Sequence, residues 1–173
     1  MRVISGKYRG KKLQGFDITG TRPTMDRVKE SLFGMIQDKI PKSHCLDLFA
    51  GSGALGIEAL SMGALSCDFV DNNIISFNVL KENTKDLTEK ITVVHADYKK
   101  YLKMANKSYD VIFLDPPYQS GLLNKALKYI SEYDLLNENG IIICEYENEE
   151  PRTKLTEYKM KNYGTKKIKI FVK

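Results

Sequence analysis

Apolar and polar positions fall in alternating blocks along this chain. Val111-Ile112-Phe113-Leu114 is a continuous apolar run, and largely apolar runs recur at 44–49, 67–71, 91–95 and 141–146. Runs of that length predict strands buried on both faces. The intervening segments carry apolar residues at helical spacing and predict helices over 54–62, 73–86, 99–105 and 122–131. A first helix is predicted over 26–39, capped by Asp26, with Val28, Leu32, Met35 and Ile36 on one face and Pro41 as its stop. Residues 16–24, with Gly20 and Pro23, read as a loop, and a short helical or turn segment follows 146. The two ends differ. Val3-Ile4-Ser5 and Lys11-Lys12-Leu13 flank a glycine-bounded turn as a hairpin, and 159–163 pairs with 167–172 around Gly164-Thr165. The pattern implies an α/β domain: a mostly parallel sheet with helices on both faces, finished by an antiparallel pair.

At 173 residues the chain is one domain with enough length to bury a core. Residues 1–20 form a basic hairpin extension and 21–173 the core of the domain. No apolar run reaches membrane-span length and no apolar leader opens the chain, which places the protein in the cytoplasm. Cys45, Cys67 and Cys144 lie in apolar runs without C-x-x-C spacing. That argues against disulfides or a zinc site, and no metal is expected. His44 and His95 have no nucleophile near them in sequence and read as structural. Net charge is +5, unevenly spread: residues 1–16 hold Arg2, Lys7, Arg9, Lys11 and Lys12 without an acid. From Arg152 onward eight basic residues accompany one acid, Glu157. Basic ends on a near-neutral body suggest a polyanionic partner.

Asp115-Pro116-Pro117-Tyr118 carries the most chemistry. Two prolines fix φ and remove backbone donors, so the strand stops sharply. The stop leaves a carboxylate, free carbonyls and an aromatic ring at the strand's C-terminal end, where open α/β sheets bind ligands. Asp115 and the Pro116 carbonyl can accept the two N–H bonds of an exocyclic nucleobase amine, and Tyr118 can stack on the base.

The segment 47–56, Asp-Leu-Phe-Ala-Gly-Ser-Gly-Ala-Leu-Gly, joins the first core strand to a helix. Gly51, Gly53 and Gly56 match G-x-G-x-x-G, a weak signal by itself. Asp47 ahead of the glycines suits a ligand with cationic groups better than a pyrophosphate. Asp71 ends the next strand, 20 residues after Gly51, where an acid can accept ribose hydroxyls. Asp97 follows the third strand and can accept from an adenine amine. Successive parallel strands would gather Asp47, Asp71, Asp97 and Asp115 along one rim. Any single one of them reads equally well as a helix cap.

These residues resemble the class I S-adenosylmethionine-dependent methyltransferases, and more closely the RsmD family of small-subunit (16S) ribosomal RNA guanine-N(2) methyltransferases. The resemblance includes Arg2-Val3-Ile4-Ser5-Gly6, the segment 22–33 opening Arg22-Pro23-Thr24, the glycine loop, Asp71, Asp97 and Asp115-Pro116-Pro117-Tyr118. It implies a Rossmann-like seven-stranded sheet and S-adenosylmethionine as cofactor. It implies that Asp47, Gly51 and Gly53 hold the methionine part, Asp71 binds the ribose and Asp97 meets the adenine, with Phe49, Ser52, Asn72 and Tyr98 also among the cofactor-binding residues. Thr24 closes over the cofactor, and Asp115 lies between cofactor and target. Asp115, Pro116 and Tyr118 hold the guanine. Lys7, Arg9, Lys11, Lys12 and Arg22 reach the RNA. The expected partner is ribosomal RNA or the small ribosomal subunit, bound by a monomer.

Three other readings compete. An adenine-amine DNA methyltransferase uses the same tetrapeptide, but 173 residues leave little room for a DNA-recognition domain. A non-catalytic RNA-binding module would not need Asp115 or the glycine loop. A nicotinamide-dependent oxidoreductase is disfavoured by the acid at position 47. Whether Asp115 takes a proton as well as accepting hydrogen bonds is left open by the sequence.

Overall fold

A computed structural model describes residues 1–15, 22–117 and 120–173, with the side chains of 22–25 excepted. Its elements are α1 (Arg22–Ile36), β1 (His44–Asp47), α2 (Ala54–Ser61), β2 (Ser66–Asp71), α3 (Ile74–Thr84), β3 (Lys90–His95), α4 (Tyr98–Met104), β4 (Tyr109–Leu114), α5 (Leu122–Glu132), β5 (Leu136–Tyr146), β6 (Thr156–Tyr163) and β7 (Lys166–Val172). The seven strands form one sheet in the order β3-β2-β1-β4-β5-β7-β6. The first five run parallel, and β7 pairs antiparallel with both β5 and β6. Among the described residues no helix is long and apolar enough to cross a membrane.

Each central strand is apolar on both faces because helices cover both. In β4, Val111 and Phe113 face one core with Leu32, Ile36, Ile57 and Leu80 from α1, α2 and α3. Ile112 and Leu114 face the other, with Leu102 of α4 and Leu123, Leu127 and Ile130 of α5. Each such side chain removed from water contributes about 1.5–3 kcal/mol. The cysteines are part of these cores: Cys45, Cys67 and Cys144 are free and buried. On the α4 side Asp68 is buried but satisfied, accepting from Tyr101 and Tyr109 hydroxyls at 2.8 and 2.7 Å and from Lys107 at 2.7 Å.

The chain moves outward from β1 through β2 to β3, then returns to lay β4 on the opposite side of β1. The reversal opens a crevice between the C-terminal ends of β1 and β4, the usual binding place in such sheets. Register fixes the heights along that rim. Asp47 pairs level with Phe69 and Phe113. Asp71 and Asp115 therefore stand two positions further out on the strands either side.

Two expectations change. Helix α1 begins at Arg22 rather than at Asp26. Pro23 falls in its first turn, where an N–H would lack an intrahelical partner and the fixed φ suits helix entry. Asp26 is thus inside the helix, and instead of capping it pairs with Arg2 at 3.4 Å. The N-terminal hairpin is reduced to a single antiparallel bridge, Arg2 with Lys12, flanked by Val3 N–H to Lys11 O and Gly10 N–H to Val3 O, both 2.9 Å. Its turn is drawn onto α2, where Lys7 N–H donates to Ser61 O at 2.8 Å and Tyr8 N–H to Ser61 Oγ at 2.9 Å. Gly6 has φ of 78°, and a Cβ there would lie 1.9 Å from Ser61 O, so no other residue fits.

Glu58 of α2 locks this arrangement. It is 1% exposed and accepts from Ile4 N–H at 3.0 Å and Ser5 N–H at 2.7 Å. Lys29 of α1 pairs with it at 2.9 Å and also donates to Arg2 O at 2.5 Å. Removing one member of a buried pair leaves an uncompensated charge and costs about 3–5 kcal/mol. Glu58→Ala should lower unfolding stability by about that amount in urea titration. In native-state hydrogen exchange the amides of Ile4 and Ser5 should lose protection in this variant.

Candidate active site

The glycine loop turns tightly because Gly51 and Gly53 adopt φ of 53° and 80°. Gly56 is where α2 meets β2. A Cβ there would approach Phe69 Cε1 to 2.3 Å and Cys67 Sγ to 2.7 Å, pushing the helix away from the sheet. Three carboxylates hold the turn and its surroundings. Asp47, 2% exposed, accepts from Gly56 N–H at 3.0 Å. Asp71 accepts from Gly51 N–H through Oδ2 and from Asn73 N–H through Oδ1, both at 2.8 Å. It ties the loop after β1 to the loop after β2. Asp97 caps α4, accepting from Lys99 and Lys100 N–H groups at 2.9 and 3.2 Å through Oδ1 alone. Its Oδ2 carries neither of these bonds.

The cap reading therefore describes the resting bonds of Asp97, and Asp47 similarly serves a helix start. Asp71 differs: it is partly exposed at the rim and spans two loops. Phe49 and Tyr98 come together with ring centroids 5.6 Å apart, forming an aromatic wall beside Asp97. Asn72 is exposed next to Asp71, with its carbonyl 3.0 Å from His95 Nε2. Ser52 is buried and turned inward, its hydroxyl 3.7 Å from Met1 Sδ and its carbonyl accepting from Asn83 at 2.8 Å. Asn83 also exchanges bonds of 2.8 and 2.9 Å with the Gln14 backbone, so one side chain joins the N-terminal arm to the glycine loop.

Asp115 follows β4 at the crevice, with Pro116 buried behind it. Burial pushes its carboxyl well above the ordinary aspartate range, with the nearby charges of Glu145 and Asp47 adding to the rise and Lys166 opposing it. Glu145, at the end of β5, is 8% exposed and pairs with Lys166 at the start of β7. Only four rim acids were expected from the sequence. The fifth carries the same signal as the others, an acid between Cys144 and Tyr146 at a strand's end. Tyr118 and the side chains of Thr24 and Arg22 lie outside the described residues. Among the described residues no group of three or more His, Cys, Asp or Glu could hold a metal.

The basic arm is not uniformly free. Lys7 bonds Thr88 at 2.6 Å and Glu89 at 2.9 Å, and Lys11 pairs with Asp86 at 3.6 Å. Arg9 and Lys12 are exposed. A cavity of 380 Å³ between the arm and α1, lined by Arg2, Arg9, Asp26, Arg27 and Glu30 among others, shares no lining residue with the rim acids.

Comparison with known proteins shows the family. The family described as Conserved hypothetical protein 95 matches residues 1–172. Ribosomal RNA small subunit methyltransferase D of Haemophilus influenzae is 39% identical over 156 residues, covering 87% of this chain and 81% of its own. The Escherichia coli K12 protein of the same name is 35% identical over 150 residues, covering 86% and 76%. The chain belongs to the RsmD family of class I methyltransferases. A solved Escherichia coli structure described as a candidate methyltransferase superposes with a TM-score of 0.89 at 31% identity, covering 99% of this chain and 96% of that one. The fold is shared more widely: the Thermus thermophilus 16S rRNA N2 G1207 methyltransferase, in complex with AdoMet and guanosine, matches with a TM-score of 0.65 at 19% identity, covering 91% and 45%. Like other members of the RsmD family, this protein is a methyltransferase.

The burial of Asp47 has a consequence for the pH dependence of stability. Burial pushes its carboxyl up to about 7, partly offset by the Gly56 amide, with Asp71 adding to the rise. An unfolded aspartate titrates near ~4, so between those values the folded state binds the extra proton. Stability should then fall as pH rises through this window. Asp47→Asn keeps an acceptor for Gly56 and removes the ionisation. Urea unfolding from pH 4 to 8 should show a flatter pH dependence for Asp47→Asn than for wild type.

Proposed function

We propose that this protein transfers a methyl group from S-adenosylmethionine to the exocyclic amine of a guanine in small-subunit ribosomal RNA. The observation that carries the reading is Asp115, held at the rim between β1 and β4 beside a glycine loop whose flanking acids match a nucleoside cofactor. The residues fit that cofactor on the chemistry of their donors and acceptors. Asp71 retains acceptor capacity at the partly exposed rim, as ribose hydroxyls require. Asp97 Oδ2 and the Phe49–Tyr98 wall suit an adenine amine and ring face. Ser52 contributes by placing the loop, since its side chain is turned toward Met1.

When bound, the cofactor supplies an electrophilic methyl on sulfur; the sulfur keeps the electron pair of the bond it loses, and the amine nitrogen that gains the carbon must shed one proton. The chain's own part is to orient and to stabilise. Guanine's amine is a poor nucleophile because its lone pair is delocalised into the ring. Asp115 and the Pro116 carbonyl accept its two N–H bonds, favour a pyramidal nitrogen and stabilise the positive charge that develops there. Tyr118 supplies the stacking surface. The base must be flipped out or already lie in a loop to reach this site. The relatives' names support ribosomal RNA of the small subunit as the substrate, and that substrate supports a cytoplasmic location.

The two acids should separate in function. Asp115→Ala should abolish methyl transfer and leave cofactor affinity nearly unchanged. Asp71→Ala should weaken the cofactor by about 1–3 kcal/mol, the cost of unpaired hydroxyls. Calorimetry and transfer of labelled methyl to RNA measure the two effects, and nucleoside mass spectrometry should find methylguanosine as the product. Loss of cofactor binding in Asp115→Ala with turnover kept at saturation would invert the assignment.

Arg9 and Lys12 are exposed cations of the arm outside the ion pairs that engage Arg2, Lys7 and Lys11, and are the natural partners for phosphate. Neutralising both should flatten the log–log salt dependence of RNA binding by about 0.7–0.9 for each phosphate no longer neutralised. Cofactor binding should not respond. An unchanged slope would reduce the arm to a structural brace.

A further inference from the structure

Four charged positions line up across the sheet on the face that α1 covers. In β1 and β4 the side chains at 45, 111 and 113 point into that core, and strand alternation puts Asp47 and Asp115 on the same side. In β5, Ile141 and Ile143 share it, so Glu145 does too. In β7, Ile168 and Ile170 share it, and Lys166 continues the row. The last paired positions of β4 and β5 are Leu114 and Cys144, which makes Asp115 and Glu145 neighbours one step beyond. Glu145 is level with Ile168, and Lys166 reaches across the ladder to its carboxylate.

We propose that the Glu145–Lys166 pair is a positioning device for Asp115: the pair holds a balanced charge against the acceptor and so sets the pH at which Asp115 is ionised and competent. This inference rests on the reading of Asp115 as acceptor for the target amine. A carboxylate that titrates near ~4 is a weak partner for a proton leaving nitrogen, whereas one raised by its surroundings is better matched to working pH. Burial and Asp47 raise it, Glu145 raises it further, and Lys166 limits the rise. Among the described residues the other titratable groups on packed elements do not replace this pair. Tyr163 of β6 stands opposite Lys166. On α1, Asp26 and Lys29 are engaged with Arg2 and Glu58, and Arg27 and Glu30 are exposed. The proton that the methylated nitrogen sheds passes to the Asp115 carboxylate and from there to solvent at the open rim.

The pair acts with opposite signs, and this gives the test. Single-turnover methyl transfer to RNA at saturating S-adenosylmethionine is followed against pH. Glu145→Gln removes a negative neighbour, so the acid limb should move to lower pH by about one pH unit. Lys166→Gln removes the positive one, so the limb should move to higher pH, and Lys166→Arg should restore the wild-type position. Cofactor affinity should stay within about twofold throughout, as expected if all three variants keep the fold. In the wild type, carbon NMR of the Asp115 carboxyl, assigned by its loss in Asp115→Asn, should titrate well above the ordinary aspartate range. Limbs that stay put or move in the same direction in cofactor-binding variants overturn the proposal, as does an ordinary Asp115 titration in the wild type. Failure of the underlying reading looks different: the wild type would transfer no methyl to guanine while the NMR titration remained displaced.

Discussion

One buried carboxylate, Glu58, decides how three parts of the chain meet. It sits on α2, takes the backbone of residues 4 and 5 from the N-terminal arm, and draws Lys29 in from α1. Alone, such a charge would be costly to bury; with two amides and an ammonium around it, its bonding capacity is met. α2 is also the helix that begins at the glycine loop. The arm, α1 and the helix that follows the glycine loop therefore share one anchor. Asn83 repeats the arrangement on the far side of the loop, bonding Gln14 and Ser52 with the same side chain. The arm is thus part of the scaffold that holds the glycine loop, in addition to being a carrier of positive charge.

The rim shows how a parallel sheet concentrates acids without unfolding itself. Each of Asp47, Asp71 and Asp97 accepts from a backbone amide of a following turn or helix, which at Asp47 only partly offsets the effect of burial. These bonds use part of each carboxylate and orient the rest. Asp115 is different because it follows two consecutive strand positions sealed in the core and precedes prolines that offer no amide. Burial raises its carboxyl first, and the charges of Glu145 and Lys166 on the neighbouring strands respectively add to that rise and oppose it.

Much of this was legible in the sequence where the signal is local. The prolines at 116 and 117 stop β4, and the strand-ending acids at 47, 71 and 115 do share a rim with Asp97 just beyond it. Local signals also misled. Asp26 has the chemistry of a cap, but Pro23 offered an earlier start, and the helix used it. What could not be read was pairing across long separations. Lys7 counted as a free cation until the fold brought Glu89 to it from 82 positions away. Glu58 and Asn83 look like ordinary helix residues in one dimension, since the backbone groups they bind are 31 to 69 positions distant. Glu145 was hidden by its neighbours, an acid inside an otherwise apolar strand ending.

The burial of all three thiols has a practical meaning. Cys45, Cys67 and Cys144 are each at most 1% exposed, and burial pushes the Cys45 thiol up to about 12 and raises the other two. Only the thiolate reacts with alkylating reagents, and here it is both scarce and unreachable. Because the three lie in β1, β2 and β5, on both faces of the sheet, no fraying of a loop or end exposes them together. Modification of all three sulfurs therefore marks opening of the whole sheet, and the chain carries its own chemical clock for global unfolding.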